Sequence, residues 1–170
     1  MTIHAVTADI TLLQVDAIVN SANPTLLAGG GVCGAIHRAA GPELEKVCLE
    51  IGKRDVGTAI ITPAFNLPAR FVIHAVGPRW LDGQRGEPDL LRSCYESIFA
   101  LALENKLTSL AIPSISTGIY HYPLTAAIDV AVEVAERFDD DGLKVIFACF
   151  DDITLRAYQL RLERNRGSRD

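Results

Sequence analysis

The chain has 170 residues, 49% of them apolar and 22% charged, with a formal net charge of −5. That length suits one domain with a substantial core, and the acidic balance argues against general nucleic-acid binding, which needs clustered Lys and Arg to neutralise phosphates. No apolar run reaches the roughly 20 residues that span a bilayer. The opening "MTIHAVTADI" has no basic segment ahead of a long apolar one, so the expectation is a cytoplasmic protein without membrane contact. Cys33, Cys48, Cys94 and Cys149 are scattered without CxxC spacing, as are the four histidines. They read as buried thiols, and neither a metal nor a cofactor is expected.

In chain order, "IHAV" (3–6) and "DAIVN" (16–20) read as strands. The second leads into "SANPTLLAGGG" and a short helix over Ala35–Ala40, with Cys33 between loop and helix. "GPELEKVCLEIGK" (41–53) reads as a helix with Pro42 in its first turn and Val47, Cys48 and Ile51 on one face. Strands "TAIITP" (58–63) and "FVIHAV" (71–76) follow, then the polar loop "WLDGQRGEPD" (80–89) inside the domain. A helix over "EPDLLRSCYESIFALALENK" (87–106) precedes the strand "SLAIPS" (109–114). The helix "PLTAAIDVAVEVAERF" starts at Pro123, and the strand "KVIFACF" (144–150) follows it. The last helix, "DITLRAYQLRLER", is capped by Asp151 or Asp152. The single domain spans 1–164, and 165–170 reads as a disordered basic tail. Strand–helix alternation of this kind implies an α/β fold with helices on both faces of a mostly parallel or mixed sheet.

In open α/β sheets ligands sit beyond the carboxyl ends of the strands. Three loop-to-helix transitions occupy that place: the one after "DAIVN", "ISTGIYHYP" after "SLAIPS", and "DDITLRAY" after "KVIFACF". Helix N-termini offer free N–H groups and a positive dipole end, so two such loops can grip a pyrophosphate. The first loop is not GxGxxG and has no P-loop lysine, and a Gly-rich turn alone is often structural. Asn23, extended because Pro24 follows it, either bonds Asn20 and the local backbone or presents its amide to a sugar hydroxyl. His74 reads as a satisfied core histidine, His37 as packed or hydrogen-bonded in its helix, and Arg38 as paired with an acid or a helix end.

"TADITLLQVDAIVNSANPTLLAGGGV-GAIHRAAGP", "FVIHAVGPRW" and "PSISTGIYHYP" together resemble a macro domain over residues 3–160. The likeness is to the branch of mono-ADP-ribosyl hydrolases and O-acetyl-ADP-ribose deacetylases, and it implies the three-layer α/β/α fold with a mixed central sheet. By that resemblance Asp9 accepts from the adenine amino group with the Ile10 backbone beside it, and Phe150 packs on adenine. Asn23 sits near the distal ribose, and Gly30, Gly31 and Val32 run past the diphosphate and that ribose. Ser116, Thr117, Gly118, Ile119 and Tyr120 form the second phosphate loop, with Tyr120 facing the distal ribose. Two alternatives stay open from the residues themselves: Asp9 as a turn cap and Phe150 as core. The partners implied are ADP-ribose and ADP-ribosylated proteins or O-acetyl-ADP-ribose, met by a monomer without metal.

The family pattern "GGGVDGAIHRAAG" is "GGGVCGAIHRAAG" here, so Cys33 replaces an aspartate thought to orient or activate water; His121 stands where glycine is usual. Three readings follow for Cys33. It is a small filler in a domain that only binds ADP-ribose. Alternatively, hydrolysis persists without a protein base, with the ligand's phosphate polarising the water and Asn23 and Tyr120 serving the reaction. In the third reading Cys33 is a thiolate nucleophile or base, its pKa lowered by the helix N-terminus. The expectation is the second, ester hydrolysis at the distal ribose, with a non-catalytic reader or an ADP-ribose 1″-phosphate phosphatase as alternatives.

Overall fold

The computed structural model describes residues 2–138 and 142–167. Its six strands are β1 (Thr2–Thr7), β2 (Ala17–Ala22), β3 (Ala59–Pro63), β4 (Phe71–Val76), β5 (Ser109–Ile112) and β6 (Lys144–Cys149). They form one sheet in the order β1-β6-β5-β2-β4-β3, parallel throughout except that β3 runs antiparallel to β4. The five helices are α1 (Gly31–Ala40), α2 (Pro42–Ile51), α3 (Glu87–Glu104), α4 (Leu124–Arg137) and α5 (Asp152–Gly167).

Both faces of the sheet are covered, and alternation along the strands divides the core in two. On β2, Ala17 and Val19 join a cluster with Leu91, Phe99, Ile128 and Tyr158 from α3, α4 and α5. Ile18 and Ala22 turn the other way, onto Ile36, Leu44 and Cys48 of α1 and α2. A period-2 strand buried on both faces therefore reads as a continuous apolar run. The three-layer α/β/α arrangement with a mixed sheet is the one expected.

Beyond shifts of one or two residues at strand and helix ends, two helix boundaries and one helix face differ from the sequence expectation. Helix α1 starts at Gly31, closed by Gly34 N–H donating to the Gly30 carbonyl, so Cys33 lies inside the first helical turn. Glycine has poor helix propensity and so masked that turn, although it is tolerated at a helix start. Of the face assigned to α2, Cys48 is buried, but Leu44 is its deep partner and Val47 and Ile51 are half-buried. Helix α5 continues to Gly167, so 165–167 of the expected tail are helical, and 168–170 lie outside the described residues. Asp151 is the α5 cap, its Oδ1 accepting from Thr154 N–H at 2.8 Å.

Two features shape the edge where the strands end. A Cβ at Gly77 would stand 2.4 Å from Ser116 Oγ and 2.6 Å from Ile115 Cγ2, so only glycine lets the chain leaving β4 pass the loop leaving β5. Beyond it, the buried Glu87 carboxylate gathers the loop 81–85. Its Oε2 accepts from the N–H groups of Leu81, Asp82 and Gly83, and its Oε1 from Arg85. Burial alone would raise this carboxyl. The backbone N–H groups, chiefly those of Glu87, Gly83, Leu81 and Arg85, outweigh it and hold the pKa down at about 2.

Gly77→Ala is expected to lower stability by roughly 1–3 kcal/mol, as overpacking does, read as a drop in denaturant midpoint at unchanged slope. For Glu87 the folded pKa lies below the ordinary 4.5, so its contribution is complete above pH 4.5 and is lost as pH falls toward 2. Thermal melts between pH 7 and pH 2.5 should show that loss in the wild type, and Glu87→Gln, already destabilised at pH 7, should lack that part of the slope.

Candidate functional site

All five parallel strands point the same way, so the segments after β1, β2, β4, β5 and β6 emerge at one edge. Every residue expected to touch the ligand follows one of these strands. Asp9 and Ile10 follow β1; Asn23, Gly30, Gly31 and Val32 follow β2; Ser116–Tyr120 follow β5; Phe150 follows β6. Because β2 pairs directly with β5, the two glycine-bearing loops leave the sheet side by side.

The backbone of both loops is open to a ligand. Among the described residues, the N–H groups of Gly30, Gly31 and Val32 have no acceptor, nor do those of Gly118, Ile119 and Tyr120. The second loop is braced from within. Thr117 Oγ1 donates to Ser114, His121 N–H to the Gly118 carbonyl, and Tyr122 N–H to the Ser116 carbonyl. Ser116 and His121 both have positive φ, 67° and 60°. A left-handed residue among turn residues points successive N–H groups into a concavity that suits an anion. Glycine would meet the geometry at 121 without strain; histidine there costs on the order of 1 kcal/mol.

Asp9 does cap a turn: its Oδ1 accepts from Thr11 N–H at 3.0 Å and from the Thr11 hydroxyl at 2.6 Å. Both bonds use one oxygen of an exposed carboxylate, and Oδ2 is left for a ligand. Ile10 is buried, so only its backbone can serve. Phe150 is 93% exposed, which removes the core alternative and leaves an aromatic face at the rim. Ser116 is buried with its hydroxyl against Gly77, so its side chain is not free to meet a ligand. Ile119 is exposed, whereas Tyr120 is half-buried and held. The Arg79 guanidinium lies 5.1 Å from its ring centre, and its carbonyl accepts from Trp80 N–H.

Asn23 is held locally rather than by Asn20. Its Oδ1 accepts from the Thr25 N–H and hydroxyl, and its Nδ2 donates to the Leu27 carbonyl at 3.0 Å. One Nδ2 proton stays available. Asn20 is fully buried and turned toward α1, its Nδ2 3.8 Å from Cys33 Sγ and 3.1 Å from His74 Nδ1. The other His74 nitrogen faces the Thr62 hydroxyl at 3.0 Å, and that hydroxyl donates to the Pro63 carbonyl. His74 is therefore neutral with its proton on Nε2, and burial pushes its pKa down to about 4.

Cys33 is 6% exposed and its thiol donates to the Leu27 carbonyl at 3.5 Å. Burial pushes that thiol up, against smaller downward pulls from Asn20 and the Gly29 backbone. The helix terminus does not produce a thiolate here, which argues against Cys33 as nucleophile or base. His37 is buried without a partner of hydrogen-bonding geometry for either ring nitrogen, and Arg38 forms no ion pair among the described residues. Both line a shallow groove of about 380 Å³ beside α1, with Glu45 across it. Among the described residues no cluster of three metal-ligating side chains exists, and no helix is long and apolar enough to cross a membrane.

Sequence reasoning missed Asn20–His74–Thr62, Glu87 and Arg79 as supports of the site. Only the acidic residue ahead of Pro88 at a helix start hinted at Glu87; the others depend on cross-strand register.

The macro domain family model matches residues 19–131. A macro domain-containing protein of Chlorobaculum tepidum is 53% identical over 163 residues, covering 94% of this chain and 95% of its own. The O-acetyl-ADP-ribose deacetylase of Escherichia coli (strain K12) is 46% identical over 172 residues, covering 97% of each. Among solved structures, the Oceanobacillus iheyensis macrodomain with ADP superposes with TM-score 0.92 at 39% identity, over 96% of this chain and 91% of that one. The Trypanosoma brucei macrodomain in complex with ADP-ribose gives 0.88 at 41%, over 94% and 68%. With a family model spanning more than half the chain and relatives of this similarity along nearly all of it, the chain belongs to the macro domain family.

Proposed function

We propose that the cleft binds ADP-ribose and that the protein hydrolyses ester bonds at its distal ribose, acting in the cytoplasm on ADP-ribosylated acidic side chains or on O-acetyl-ADP-ribose. The observation that carries this reading is the pair of neighbouring loops whose six backbone N–H groups, Gly30–Val32 and Gly118–Tyr120, have no acceptor among the described residues. Backbone donors hold a diphosphate without lysine, which suits an acidic chain. At one end the Asp9 carboxylate accepts from an amino-purine and Phe150 covers the ring. At the other, the second Nδ2 proton of Asn23 meets a ribose hydroxyl, and Tyr120, fixed by Arg79, bounds the ribose. Relatives named O-acetyl-ADP-ribose deacetylase support the reaction class.

In the reaction, water adds across the ester, the carbon–oxygen bond breaks, and a carboxylate and ADP-ribose leave with one proton released. No protein carboxylate stands at position 33, so the ligand's phosphate polarises the water while the loops fix its approach. Positioning supplies several kcal/mol of a barrier, and a general base adds typically ~10²–10⁴-fold. Losing the base slows such an enzyme without silencing it.

The test incubates a target mono-ADP-ribosylated on glutamate, and separately O-acetyl-ADP-ribose, with wild type, Cys33→Ala, Cys33→Asp and Gly118→Glu in EDTA. A Cβ at Gly118 meets nothing within 4 Å, so Gly118→Glu sets a carboxylate on the second loop, against an anionic ligand, without disturbing the fold. Release by wild type and, at a measurable rate, by Cys33→Ala, with none by Gly118→Glu, is expected. Release only by Cys33→Asp would make this chain a reader. Abolition by Cys33→Ala would return the chemistry to the thiol, and free inorganic phosphate from ADP-ribose 1″-phosphate would indicate the phosphatase.

A further inference from the structure

The Leu27 carbonyl has two donors. Asn23 Nδ2 reaches it from the loop at 3.0 Å, and the Cys33 thiol reaches it from the first turn of α1 at 3.5 Å. The thiol is in turn fixed by Asn20 Nδ2, the same group that faces His74 Nδ1, and His74 is fixed by Thr62. Thr62, His74 and Asn20 lie on three adjacent strands, β3, β4 and β2, in the layer beneath α1. A continuous row of hydrogen bonds therefore runs from the edge of the sheet to the residue at the mouth of the cleft.

We propose that Asn20 and Cys33 are positioning residues, which hold the Leu27 carbonyl and through it the Asn23 carboxamide that meets the distal ribose. The thiol acts as a donor, and a carbonyl needs a donor opposite it. A carboxylate at position 33 has no proton to give Leu27 and must seat the loop differently. The exchange of aspartate for cysteine thus trades a water-orienting group for a fixed loop. His74 is neutral above pH 4, so its Nδ1 stays an acceptor for Asn20 throughout the working range. Asn20, Thr62 and His37 pack around it; burial lowers the pKa of His37 as well, and burial raises that of the Cys33 thiol, which donates to Leu27 as a neutral group. Asn20, His74, Thr62 and Cys33 are buried, so the inner bonds of the row are strong ones, and removing one is felt where the row meets the half-buried Leu27 and Asn23.

The role in catalysis rests on the proposed hydrolysis; the geometry does not, and the experiment separates them. The side-chain amide resonance of Asn23 is recorded by proton–nitrogen NMR in free wild type, Cys33→Ala, Cys33→Ser and Asn20→Asp. Thermal midpoints and ester-hydrolysis kinetics accompany it. Cys33→Ala and Asn20→Asp are expected to shift or broaden the Asn23 resonance. Cys33→Ala should also lower kcat about five- to tenfold, the size of one hydrogen bond, with KM changed less than twofold. Cys33→Ser, which restores a donor, should recover both signals most of the way. An Asn23 resonance unmoved by Cys33→Ala, or serine performing no better than alanine, overturns the proposal. Resonances that behave as expected in a protein without turnover would keep the network and remove the proposed function instead.

Discussion

The parallel pairing of β2 with both β4 and β5 is the constraint from which the site follows. It sends the chain after Ala22, Val76 and Ile112 over the same edge within two strand spacings of each other. A one-residue slip in β2 would turn Asn20 out of the layer under α1 and bring Val19 in its place, because side chains alternate with period two. Ala17 and Val19 on one face and Ile18 and Ala22 on the other prevent that slip, since each set is buried against a different group of helices. Hydrophobic register thus fixes where polar groups stand at the edge.

The edge is built to receive negative charge without presenting much positive charge. Net charge is −5, yet two runs of three N–H groups remain undonated beside each other. Such donors cost no side-chain entropy on binding, because their direction is set by the backbone. That demands rigid loops, and the molecule braces them both from within and from neighbouring segments. Gly77 allows the segment after β4 to touch Ser116, Trp80 N–H holds the Tyr120 carbonyl, and Glu87 ties down the loop that carries Trp80. On the other side the Leu27 carbonyl plays the equivalent part for Asn23.

Most of the fold was legible because each strand is a short apolar run and each helix carries an apolar face; helices on both faces of a mostly parallel or mixed sheet follow from their order, and the resemblance to a family narrowed this to the mixed three-layer form. The family was legible from long, ordered motifs. What escaped was local. The start of α1 was hidden by three glycines whose propensity opposes the helix they begin. The partner of Asn20 was unreadable, since it lies 54 positions away on β4 and is chosen by strand register. Cys33 could be read from sequence as an activated thiol, because the helix terminus is visible there and burial is not. The exposure of Phe150 was likewise undecided, since an aromatic ending a buried strand looks the same whether it turns inward or out.

A cleft for ADP-ribose in which Asp9 reads the base must tell an amino-purine from an oxo-purine. Isothermal titration of wild type with ADP-ribose and with its hypoxanthine counterpart tests it most directly. The amino group that donates to a carboxylate is replaced there by an oxygen that repels it. The account predicts one-to-one binding of ADP-ribose, with the hypoxanthine compound bound at least about tenfold more weakly, a difference of roughly 1.4 kcal/mol. Equal affinity for the two would take base recognition away from Asp9, and no binding of either would contradict the cleft itself.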